Sequence, residues 1–157
     1  MTKNLLCIAL CGVALLAGCA ENEADEKGED GPPKITFLTP YGPPTNPFSP
    51  AVQVGDMLYL AGQIGTDSTG ALVAGGLEPE AHQTLKNIAD VLAKTGSSMD
   101  RVVKCTAFLA DMKEWPALNV IYRTYFPKNF PARSALGSTG LALNARVEIE
   151  CIAVVAR

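Results

Sequence analysis

Val147-Glu148-Ile149-Glu150-Cys151-Ile152-Ala153-Val154 alternates with the period-two pattern of a strand. Its odd positions, Val147, Ile149, Cys151 and Ala153, form one wholly apolar face, which should meet a helical layer. Glu148 and Glu150 share the opposite face with Ile152 and Val154, so that face is polar at one end and greasy at the other. A lone subunit would leave Ile152 and Val154 wet. The pattern therefore predicts that this face packs against other subunits and leaves the Glu148 end as a cleft.

Fifteen positions before Glu148, Arg133 stands in Phe130-Pro131-Ala132-Arg133-Ser134, which puts a cation and a carboxylate on two adjacent strand-like segments. A guanidinium is a planar fork of donors that grips a carboxylate through two parallel charge-assisted hydrogen bonds. An Arg opening a small, apolar strand thus points to a cleft for a small organic acid. The same two residue types would also serve as a structural ion pair at a sheet edge.

Farther upstream, Met57 to Ile64 reads as a strand, and Asp67-Ser68-Thr69-Gly70 turns it toward a short segment at Ala71–Val73, predicting a hairpin. Pro79 opens a helix whose apolar face carries Ala81, Leu85, Ile88, Ala89 and Leu92, with Gly96 as its stop. Arg101 to Ala110 is a strand with Val103, Cys105, Ala107 and Leu109 on one side. A second helix begins near Trp115-Pro116, buries Trp115, Leu118, Tyr122 and Tyr125, and closes before Pro127. Strands at Ala132–Ser138 and Arg146–Ala156 complete the chain. This order predicts an α+β fold, a mixed six-stranded sheet with both helices on one face.

The ends carry a different signal. Lys3, an apolar run from Leu5 to Ala17, and the small-residue finish Leu16-Ala17-Gly18-Cys19 have the form of a secretory leader, too short for a permanent bilayer span. Leu-Ala-Gly-Cys looks like a bacterial lipobox, which predicts a signal peptide over 1–18 and acyl chains on Cys19. Ala20, rather than Asp, at the next position favours the outer membrane over inner-membrane retention. Positions 19–33 then hold the lipidated Cys19 and an acidic spacer with no apolar face to bury. The expected protein is an exported lipoprotein of the periplasm or cell envelope.

The remaining domain, 34–157, is one core's worth of chain with a net charge of about plus one, so it lacks the electrostatics of a nucleic-acid binder. Cys7 and Cys11 leave with the leader. Cys105 and Cys151 fall in strands, where free buried thiols are the expectation, although an exported compartment permits a bridge. No metal-ligand spacing is present. His82, the only histidine, reads as a solvated helix residue.

Ala61-Gly62-Gln63-Ile64, Phe130-Pro131-Ala132-Arg133-Ser134 and the step to Glu148 occur in an order that resembles the RidA/YjgF family of reactive-intermediate deaminases, from about Pro47 to Val155. The resemblance implies the chorismate-mutase-like RidA fold, a homotrimer with sites between subunits, and hydrolysis of 2-enamino and 2-imino acids to 2-keto acids and ammonia. It implies Arg133 as the substrate-carboxylate group and Glu148 as the residue that positions water. Gly62 would be a backbone contact, and Asn119 and Phe48 would line the cleft. No cofactor is implied, because an imine is already electrophilic.

Three positions depart from the family pattern. Phe48 stands where Tyr is frequent, Ala61 where Ser or Thr is, and Ala135 where Cys is. Each loses a polar group near the pocket, which keeps open a second reading: a lipoprotein that holds a small carboxylic acid in the same cleft without turnover. A third, an assembly or chaperone-like surface protein, would owe little to Arg133.

Overall fold

The computed structural model describes residues 31–156, and every strand and helix below lies in the compact unit that begins at Pro32. The proposed leader, Cys19, Cys7, Cys11 and nearly all of the acidic spacer lie outside the described residues. The chain runs β1 (Ile35–Leu38), β2 (Ala51–Val54), β3 (Met57–Leu60), β4 (Gln63–Ile64), α1 (Leu77–Lys94), β5 (Val102–Leu109), α2 (Trp115–Tyr125), β6 (Ala132–Gly137) and β7 (Val147–Val154). The sheet order is β1-β2-β3-β7-β5-β6, with two-residue β4 also pairing β7. Only β5 and β6 are parallel, and α2 is the crossover between them.

α1 and α2 pack on each other and on one face of this sheet, enclosing a single core. The periodicity of each element explains that burial. Leu85, Ile88 and Leu92 of α1 and Val147, Ile149 and Ala153 of β7 have at most trace exposure. Gly96 takes a positive φ of 79° just past α1, and the Ser97 N–H reaches back 2.8 Å to the Leu92 carbonyl, closing the helix as a Schellman-type turn does.

Several expectations need correction. The sheet hairpin is β2–β3, turned at Gly55-Asp56, and the segment expected to pair near Ala71–Val73 survives only as an isolated bridge between Thr66 and Leu72. Four-residue β1 and β2 carry too little alternation to stand out from sequence. The stripe on β5 breaks at its start, because a register shift between Val102 and Lys104 turns Val102 inward and leaves Val103 44% exposed. On α2 the buried residues are Leu118, Ile121 and Tyr122, while Trp115 stays 41% exposed. His82 is half-buried, its Nδ1 3.0 Å from the Tyr125 hydroxyl, rather than simply solvated.

The predicted strand Met57–Ile64 is interrupted. Tyr59 pairs with Ile152 and Gln63 with Ile149, so Leu60, Ala61 and Gly62 face only Glu150 and Cys151. This is a one-residue bulge, a device that re-aims neighbouring groups.

Cys105 and Cys151 form a disulfide, not a pair of free thiols. The antiparallel register of β5 and β7 sets them directly opposite each other, 4.1 Å apart at Cα. Cross-strand pairs that close are of the non-hydrogen-bonded kind, where side chains approach most nearly. Neither register nor pair type is written in the sequence, so the bridge is decided only by how the two strands meet.

Candidate active site

β5 lies between β6 and β7, so the strands of Arg133 and Glu148 are not adjacent. The parallel register places Arg133 beside Cys105, whose side chain faces the helices. Glu148 pairs with Phe108, between the buried residues Ala107 and Leu109, and so lies on the opposite face. Within one chain the two charged residues belong to separate half-sites. Neither is used in a structural ion pair with the other; the ion pairs among the described residues are Lys94–Asp90 and Arg146–Glu114.

The Arg133 half is built against α2. Asn119 and Tyr122, three residues apart, share a face of that helix. Arg133 Nη2 donates to Asn119 Oδ1, and the guanidinium carbon lies 4.5 Å from the centroid of the Tyr122 ring. Burial pushes the Tyr122 phenol up to about 12, with the Arg133 charge opposing, so the ring stays neutral at physiological pH. Arg133 opens onto a cavity of about 290 Å³ with walls from Trp115, Tyr122, Phe130 and Pro131, and no acidic residue lines it. Arg123 is the second cation there, its guanidinium 5.6 Å from the Phe130 ring centroid.

The Glu148 half is built by the bulge. A Cβ on Gly62 would fall 2.1 Å from Glu148 Oε1, so only glycine lets the backbone lie against this carboxylate. Desolvation, and then the charge of Glu150 two residues along the same face, raise the Glu148 carboxyl above its ordinary range. Among the described residues it has no hydrogen-bond donor or cation as partner. A half-buried, unpaired carboxylate of raised basicity has the properties of a general base.

Arg133 and Asn119 thus come together, as do Gly62 and Glu148. Phe48 is 56% exposed and does not line the Arg133 cavity. Ala61 lies in the bulge, and Ala135 packs against the core on the Arg133 side of β6. Sequence reading assigned Tyr122 to packing alone, although its spacing from Asn119 held the clue to its place under Arg133. Among the described residues no group of three or more His, Cys, Asp or Glu is placed to hold a metal ion.

The family profile described as Endoribonuclease L-PSP matches residues 40–155, which takes in both half-sites. The chain belongs to the RidA family. The mouse protein named 2-iminobutanoate/2-iminopropanoate deaminase is 44% identical over 122 residues, covering 77% of this chain and 90% of its own length. RidA from an Antarctic Psychrobacter bacterium superposes with a TM-score of 0.70 at 32% identity, covering 76% of this chain and 98% of that one. E. coli TdcF, solved with bound serine, gives 0.69 at 27% identity over 76% of this chain and 98% of its own. The mixed sheet with two helices on one face is the fold of these RidA structures.

Proposed function

We propose that this chain hydrolyses 2-imino acids, the tautomers of 2-enamino acids, to 2-keto acids and ammonia. The observation that carries the reading is Arg133, fixed by neutral partners at the mouth of a cavity that contains no carboxylate to neutralise it. A bound acid supplies the missing negative charge. The likeness in sequence to proteins named for imine deamination supports the same chemistry.

Arg133 holds the substrate carboxylate and so fixes the position of the C=N carbon. Glu148 takes a proton from water as the water oxygen bonds to that carbon, and the π electrons move to nitrogen. Return of that proton to nitrogen completes the carbinolamine, and transfer of its hydroxyl proton to nitrogen lets the C–N bond break as the C=O bond forms, releasing ammonia. One water is consumed and no redox change occurs.

Since the two half-sites lie on opposite faces of one sheet, the complete site takes Arg133 and Asn119 from one copy and Gly62 and Glu148 from its neighbour. Packing against further copies is supported by the apolar groups left on the open face, among them Phe37, 69% exposed, and Tyr59 and Leu136, each 44% exposed; that the assembly is a homotrimer rests on the family resemblance. Mixing experiments test this. Arg133→Ala and Glu148→Gln proteins, each strongly impaired alone on freshly generated 2-iminopropanoate at low concentration, should regain activity when refolded together, because some interfaces then carry both wild-type halves. No recovery would place both residues in one chain's site. Product binding without turnover in the wild type would favour a carboxylate-binding protein instead.

The chain acts, in this proposal, outside the cytoplasm as a lipoprotein anchored through Cys19 to the cell envelope, in the outer membrane. The Cys105–Cys151 bridge supports export, because structural disulfides persist in oxidising compartments. Cys19→Ser should move the protein from the membrane fraction to the soluble one. An unchanged membrane fraction defeats the anchor.

A further inference from the structure

We propose that Tyr122 is a positioning residue whose ring face, and not its hydroxyl, holds Arg133 in the orientation that receives the substrate carboxylate; this rests on the deaminase reading above. Arg133 is held by two side chains of α2. Asn119 accepts one of its N–H groups, and the guanidinium carbon lies over the Tyr122 ring, 4.5 Å from the ring centroid. Of a guanidinium's five N–H donors, Asn119 takes one, and the Tyr122 ring, which holds the cation through its π face, carries no charge or carboxylate that would compete for the rest. The free edge keeps the two-pronged geometry that a carboxylate needs. Either neutral partner restrains the cation without cancelling its charge, as a glutamate at position 122 would.

The hydroxyl plays no part in this clamp. Tyr122 is 4% exposed and its oxygen is sealed from solvent without a hydrogen-bond partner among the described residues. A sealed, unpartnered hydroxyl is a net cost to a fold, so its removal should be neutral or favourable. The ring is itself fixed, with the Phe126 ring centroid 4.6 Å away. That stacking gives Arg133 a rigid platform.

The test varies the ring in the full chain while keeping its shape. Tyr122→Phe, Tyr122→Leu and pentafluorophenylalanine at position 122, which inverts the ring quadrupole, are compared by kinetics on 2-iminopropanoate and by calorimetric titration with pyruvate. Tyr122→Phe should keep KM and the pyruvate Kd within about twofold, with an equal or higher Tm. The leucine and pentafluoro variants should raise both constants about tenfold, the scale of a desolvated cation–π contact, while kcat changes less than about threefold. If Tyr122→Leu fails to fold, the pentafluoro variant, which keeps a flat six-membered ring close in size to that of tyrosine, still decides the matter. Unchanged pyruvate affinity in the pentafluoro protein, or equal losses in the Phe and pentafluoro proteins, would overturn the proposal. Because pyruvate binding is read without turnover, an absence of deaminase activity would sink the functional reading while leaving Tyr122 tested.

Discussion

Arg133 and Glu148 differ in what surrounds them. The arginine is gripped on two sides by neutral groups of α2, whereas the glutamate has only a glycine backbone beneath it and another carboxylate along its strand. Elsewhere the fold treats charge in the opposite way. Arg146 is bound through its side chain to Glu114 at 2.6 Å and through its backbone N–H to the buried carboxylate of Glu80 at 2.6 Å. There the partners are complete and the role is structural. Charges left uncompensated, one restrained and one raised in basicity, are the pattern expected of a binding and catalytic site rather than of a structural pair.

The largest effects should separate the two halves by kinetic parameter. Arg133→Ala should lower kcat/KM about a thousandfold, mainly through KM, as expected for loss of a desolvated charge pair. Glu148→Gln should lower kcat about a hundredfold or more with KM nearly unchanged. Steady-state kinetics on 2-iminobutanoate check both, and exchanged signatures would reverse the assigned roles.

Next comes the covalent link between β7, which carries Glu148, and β5, the strand that separates the halves. Replacing Cys105 and Cys151 together by Ala should cost about 2–4 kcal/mol in denaturant unfolding, since the bridge spans a sequence separation of 46 residues. Dithiothreitol should reproduce that loss in the wild type and do nothing to the double variant.

A smaller effect follows from the bulge. In Gly62→Ala the new methyl would meet the Glu148 carboxylate at 2.1 Å, and the flexible side chain must swing aside. Unfolding should scarcely change, while kcat falls about tenfold through misplaced water. Equal loss of stability and rate would make Gly62 structural instead.

The smallest prediction concerns pH. Burial first, then Glu150, raises the Glu148 carboxyl, so the base is ionised only above the ordinary carboxylate range and kcat falls as pH drops through that raised value. Glu150→Gln removes the second cause alone. The acid limb of the kcat profile should move to lower pH, with the burial contribution remaining. A limb that stays in place would show that another group sets it.

Sequence by itself determined what is periodic and what is motif. The apolar face of β7 and the amphipathic face of α1 follow from spacing along a single chain, Arg133 and Glu148 stand out as candidates from their motifs, and the family follows from the likeness of those motifs to RidA proteins. Only tertiary structure decided which strands are neighbours, so the separation of Arg133 from Glu148 by β5 could not be seen in their fifteen-residue step. The same holds for the register that joins Cys105 to Cys151 and for the extra residue that carries Gly62 onto Glu148. The physical reason is common to all three. Side-chain alternation is set by each strand's own backbone, whereas register, bulges and pairing partners are set by contacts between segments distant in sequence.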